Sequence, residues 1–143
     1  MQRNKYLDDL GIDIKDYGTN FINNFFDKRQ MRWWNQRKKY GFDARETYNL
    51  DYIFVQWLYS HLMMYKEKAG EVVDLECGKL TWHDKEITQL EAIDILIDVS
   101  KDFLLADDKY INDVISFEEK EEIYTRFYEA MTLWGMILPC MWW

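Results

Sequence analysis

Between residues 90 and 104, apolar side chains recur at Leu90, Ile93, Ile97 and Leu104, while Glu91, Asp94, Asp98, Lys101 and Asp102 take the opposite positions. That period of about 3.6 residues predicts an amphipathic helix, running to about Leu105, and Thr88 with Glu91 supplies a T-x-x-E capping box for its start. Ser116 with Glu119 repeats the signal ahead of a second stripe, Ile123, Tyr124, Phe127, Met131, Trp134 and Ile137, which Pro139 closes. Residues 47–70 are apolar nearly all round. Leu50, Phe54, Trp57, Leu58, His61 and Tyr65 form one stripe, Ile53, Val55, Leu62 and Met63 widen it, and a central helix ending at Gly70 is expected. Ile22, Phe25, Phe26, Trp33 and Tyr40 predict a further helix, capped by Thr19 or Asn20 and stopped by Gly41.

Residues 70–84, "GEVVDLECGKLTWHD", hold two short apolar runs around Cys77-Gly78 that fit a loop or a small hairpin, and a loop is expected. The resulting fold class is all-α: a compact bundle of four principal helices plus a short N-terminal helix, with one irregular loop around residues 70–84. A chain of 143 residues corresponds to a single domain, 1–143. One Pro, six Gly and 17 % aromatic residues agree with helices around a large core rather than with disorder or a turn-rich β fold.

Charge divides the chain. Residues 1–40 carry nine Lys/Arg against five Asp/Glu, a net of +4, and residues 41–143 carry nine against twenty-one, a net of −12. A basic head thus precedes an acidic body, and such a body repels a phosphate backbone but suits a basic protein surface. No run reaches the roughly 18 apolar residues of a spanning helix, and the tail "LWGMILPCMWW" is too short to span, so a membrane role is not expected. Cys77 and Cys140 lie in no CxxC or Cys/His pattern, which points away from a zinc site or disulfide framework and toward a reducing cytoplasm.

Candidate chemistry is sparse. Glu91, Asp94, Asp98 and Asp102 form a ladder at i, i+3, i+7 and i+11, with Asp51 and Glu67 on the central helix. Carboxylates so spaced can serve Mg²⁺, as the paired E-x-x-E and E-x-x-D helices of nucleotide pyrophosphohydrolases do; Glu91, Asp94 and Asp98 would be the ligands here. Only half of that pattern is present, so the ladder reads first as a solvated or partner-binding face with no metal and no cofactor. His61 reads as a packed histidine, and the phosphate-binding and nucleophile-elbow motifs are missing, so no catalytic residue is assigned.

"RWWNQRKKY", residues 32–40, sets four cations among three aromatic rings. Arg32, Arg37, Lys38 and Lys39 could neutralise phosphates while Trp34 stacks on a base, but the modest charge of the head and the repulsion from the body favour a protein partner. Trp33 and Tyr40 are expected to face inward, with the cations pairing with acidic neighbours or a partner.

Thr47, Asn49, Leu50, Asp51, Trp57, Leu58, Leu62 and the Lys66-Glu67 pair give residues 46–69 a pattern that resembles small proteins of tailed bacteriophages that carry no assigned activity. The resemblance implies an accessory factor in the cytoplasm of an infected bacterium, of the kind that disables host defence, as anti-CRISPR proteins do. The leading expectation is a non-enzymatic module that binds and inhibits a host protein with a basic nucleic-acid-binding surface, using Glu91, Asp94, Asp98, Asp102, Trp34, Arg37 and Lys38. A Mg²⁺-dependent nucleotide hydrolase and a self-associating structural phage component, sealed as a homo-oligomer by "LPCMWW", are the alternatives.

Overall fold

The computed structural model describes residues 4–12, 28–47 and 49–141. Among the described residues five α-helices follow one another, α1 (Lys5–Asp8), α2 (Lys28–Tyr40), α3 (Leu50–Ala69), α4 (Gln89–Ile111) and α5 (Phe117–Ile137), with a hairpin of β1 (Lys79–Trp82) and β2 (Lys85–Thr88) before α4. The fold is mostly α-helical, as the pattern predicts. Two compact units divide the chain, Met1–Phe54 and Val55–Trp143, with the boundary inside α3.

In the first unit α1 buries Leu7. The start of the α2 helix predicted from Thr19 or Asn20, with Ile22, Phe25 and Phe26, lies outside the described residues. Its end is as expected: Gly41 takes φ +85° and donates its amide to the Arg37 carbonyl at 2.9 Å. A residue with a Cβ is strained in that conformation, which is why glycine ends helices this way. Arg37, Lys38 and Lys39 occupy the last turn, where the carbonyl end of the helix favours positive charge. Trp33 is half-buried, but Tyr40, expected to face inward, is 58 % exposed. As the last helical residue it has no following turn to shelter it, and its ring lies instead near Phe42 and under the Lys39 ammonium.

In the second unit α3 contributes Val55, Leu58, Tyr59, Leu62 and Ala69 to the core. The expected stripe is corrected: Leu50 is 64 % exposed and Trp57 and His61 also face solvent. Because apolar residues surround the helix, periodicity does not select a face, and packing against neighbours does. Gly70 follows the last residue of α3, and glycine fits there because a Cβ would stand 2.8 Å from the Lys66 carbonyl oxygen.

The expected loop at residues 70–84 is half hairpin. Residues 70–78 form turns, with Leu75 buried, and β1 and β2 then pair antiparallel in the register Lys79↔Thr88, Leu80↔Ile87, Thr81↔Glu86 and Trp82↔Lys85. His83 and Asp84 make the two-residue turn with φ +48° and +58°, the twist that matches paired strands. Thr88, the last residue of β2, is also the N-cap of α4: its hydroxyl accepts from the Glu91 amide and Glu91 Oε2 accepts from the Thr88 amide at 2.7 Å. Ser116 and Glu119 build the same reciprocal cap on α5.

Helix α4 runs six residues beyond Leu105 and packs along α5. Ile93, Leu96, Ile97, Phe103 and Leu104 are buried from one side, and Ile123, Phe127, Ala130, Leu133 and Ile137 from the other. The Phe103 ring meets Phe127 at 4.8 Å and Tyr124 at 4.7 Å. Tyr124, Met131 and Trp134 sit at the margin, half-buried. The hairpin is tied to α5 where Trp82 Nε1 donates to Thr132 Oγ1 at 3.4 Å.

Candidate partner-binding surfaces

Helix α2 carries six cations and no carboxylate, Lys28, Arg29, Arg32, Arg37, Lys38 and Lys39. Arg37 is committed to structure. Its Nε donates to Asp43 Oδ2 at 2.5 Å, and Arg45 Nε and Nη2 donate to Oδ1 and Oδ2 at 2.9 and 2.8 Å. Asp43 is 1 % exposed, and the hydrogen bonds from Arg45, joined by those from Arg37, hold its carboxyl down to about 2. The Arg45 guanidinium also covers the Trp33 ring at 4.5 Å. Asp43 and Arg45 were not singled out from sequence; the D-x-R spacing just past the Gly41 stop is the only signal they leave.

Arg32, Lys38 and Lys39 are exposed and enter no salt bridge among the described residues. Trp34 is 56 % exposed, with the Lys38 ammonium 5.3 Å from its ring. Met31, Arg32, Asn35, Gln36, Lys39 and Tyr40 line an open groove on this helix.

The acidic ladder does not converge. Asp102 lies eleven positions beyond Glu91 on α4, a rise of about 16 Å. Glu91 is engaged in the cap of α4. Asp94 accepts from Lys66 Nζ at 2.5 Å, and Asp102 faces Arg126 at 3.4 Å and Lys109 at 3.9 Å. Glu91 and Asp98 are the exposed members of the ladder, neither enters a salt bridge among the described residues, and Glu91 is taken up by the cap, which leaves Asp98 as the one carboxylate of the four outside both a cap and an ion pair. On α3, Asp51 and Glu67 are exposed, sixteen residues apart, and Glu67 meets Lys68. No group of three or more His, Cys, Asp or Glu among the described residues is arranged to hold a metal ion.

Next along the acidic surface, Lys120 reaches Asp107 at 2.6 Å while Tyr124 Oη donates to the same carboxylate at 3.0 Å. The Lys120 ammonium thereby lowers the Asp107 pKa and its own is raised. His61, expected to be packed, is exposed; its ring stacks on Trp57 at 4.3 Å and its Nδ1 lies 2.7 Å from the Trp57 carbonyl, so Nδ1 carries the proton. His83 serves the hairpin turn, and Cys77 and Cys140 are exposed thiols. Trp142 and Trp143 of the "LPCMWW" tail lie outside the described residues. No helix among the described residues is long and apolar enough to cross a membrane.

A further surface lay unnoticed in the sequence. Where α4 turns into α5, Ile111, Val114 and Phe117 are 75, 67 and 55 % exposed, and Tyr110 stands edge-on to Phe117 at 6.2 Å. Asn112-Asp113 between two helices was the available signal, since the turn it makes, with Asp113 at φ +55°, leaves its apolar flanks uncovered.

Comparisons of the chain with family models, with curated proteins and with solved structures find no match.

Proposed function

We propose that this chain is a non-enzymatic interaction module of phage type, which binds a host protein through the acidic α4–α5 pair and blocks it in the cytoplasm of an infected bacterium. The target it suits carries a basic nucleic-acid-binding surface, as a CRISPR nuclease does. One observation carries the reading: residues 89–137 hold twelve Asp/Glu against four Lys/Arg, so this helical pair alone has a net charge of −8, equal to that of the whole chain. Three of the four cations, Lys109, Lys120 and Arg126, are already engaged by Asp102 and Asp107. Asp98, Glu118, Glu122 and Glu129 are left exposed, a display of negative charge that steers toward a cationic groove. The engagement of Glu91, Asp94 and Asp102 in a cap and ion pairs favours this reading over a hydrolase. The resemblance of residues 46–69 supports the phage setting.

The experiment is affinity capture from host lysate after nuclease treatment, repeated with Asp98→Lys/Glu129→Lys. A stoichiometric, nucleic-acid-binding host protein held by the native chain and lost by the variant is the expected result. Equal retention by both rejects the acidic surface as the contact.

A further inference from the structure

We propose that the chain associates with a second copy of itself, the basic face of α2 on one copy seating on the α4–α5 turn of the other. This goes beyond the partner reading above and does not rest on it. Both faces have the anatomy of an interface, an apolar centre with charge around it. At the turn, Ile111, Val114 and Phe117 are more than half exposed within seven residues. Single exposed apolar side chains are ordinary, but a contiguous group of them marks a contact surface. The nearby carboxylates Asp113, Glu118 and Glu121 are exposed and enter no salt bridge among the described residues.

Helix α2 offers the opposite sign. Met31 and Trp34 are 58 and 56 % exposed, and Arg32, Lys38 and Lys39 surround them without a salt-bridge partner among the described residues. Tryptophan and arginine are the side chains most enriched among those that dominate binding energy, so Trp34 is the natural anchor for an apolar seat. The argument for a second copy, rather than a foreign protein, is that both complementary faces belong to one sequence. The complement of each is present whenever the protein is. Copies of net charge −8 repel at long range, but at about 100 mM salt the screening length is about 10 Å, which weakens that repulsion while leaving contact pairs effective.

Sedimentation velocity on the full chain tests this, over concentrations from about 1 μM to 500 μM in about 100 mM and about 1 M NaCl. The expected result is a concentration-dependent rise to at least twice the chain mass, weakened at least about tenfold by high salt. Arg32→Glu/Lys38→Glu/Lys39→Glu and Glu118→Lys/Glu121→Lys should each be monomeric alone, with unchanged helical circular dichroism, and should associate when mixed, because the reversed faces complement each other. A native chain that stays monomeric throughout overturns the proposal, whatever foreign partner these faces then serve. Association that survives both variants, or that salt leaves unchanged, overturns it as well.

Discussion

Arg45 holds the buried carboxylate of Asp43 through both oxygens, at 2.9 and 2.8 Å, while its guanidinium lies 4.5 Å above the Trp33 ring. One side chain thereby joins the end of α2 to the segment that follows it. Asp43 also receives Arg37 from the last turn of α2, so removing the carboxylate strands two cations at once. Asp43→Ala is expected to cost about 3 kcal/mol, the scale of breaking a buried ion pair. Urea denaturation measures it, with hydrogen exchange at residues 37–45 reporting the local opening.

The same pair sets a pH dependence. With its carboxyl held at about 2 against an ordinary 3.8, Asp43 binds its proton more weakly folded than unfolded. Its stabilisation is therefore complete above about pH 4 and is lost as pH falls toward 2, up to about 2 kcal/mol in all. Asp107, lowered by Lys120, acts in the same direction. Urea midpoints of the native chain and Asp43→Asn at about pH 5, 3 and 2 should converge as the pH falls. Parallel curves would show that the Asp43 ion pair is not the cause.

The capping boxes give the third expectation. Thr88→Ala and Ser116→Ala should each lower stability by about 1 kcal/mol, since each strands one amide at a helix start. Glu91→Gln keeps an acceptor for the Thr88 amide and should change stability by no more than a few tenths of a kcal/mol. This variant also separates two roles for Glu91, because a metal-binding or catalytic carboxylate would not tolerate the exchange in an activity assay.

These caps were legible in the sequence because they are local, each a four-residue signal that one helix start satisfies. The end of α2 at Gly41 and the main apolar positions of α4 and α5 were legible for the same reason. The inward face of α3 was not, since with apolar residues on every side the burial of Val55 and exposure of Trp57 depend on what packs where. The candidate site was less legible still. The ladder from Glu91 to Asp102 shows as a row of carboxylates, but its partners Lys66 and Arg126 come from other helices, and only the fold reveals that the row is largely engaged.

At the α4–α5 contact, Phe103 is 4 % exposed and meets Phe127 and Tyr124 within 5 Å. Phe103→Ala should leave a cavity and cost about 3–5 kcal/mol, whereas Phe103→Leu, which keeps most of the volume, should cost roughly a third of that. Thermal unfolding of the two variants checks the order. Similar losses from both would point to the ring contacts rather than the volume.

The hairpin turn allows a gain instead of a loss. His83 and Asp84 both sit at positive φ, a conformation that costs a side chain with a Cβ about 1 kcal/mol and that Asn and Gly adopt readily. Both are exposed, so the packing lost on substitution is confined to the edge-on contact of the His83 ring with Trp82 at 4.2 Å. His83→Asn/Asp84→Gly should therefore stabilise the hairpin by about 0.5–1 kcal/mol. Because β2 runs directly into the Thr88 cap, the gain should reach α4 as well: amides of residues 86–91 should exchange more slowly, and Tm should rise by a few degrees. Slower exchange confined to residues 79–88, with Tm unchanged, would show that the hairpin opens independently of the helices it precedes.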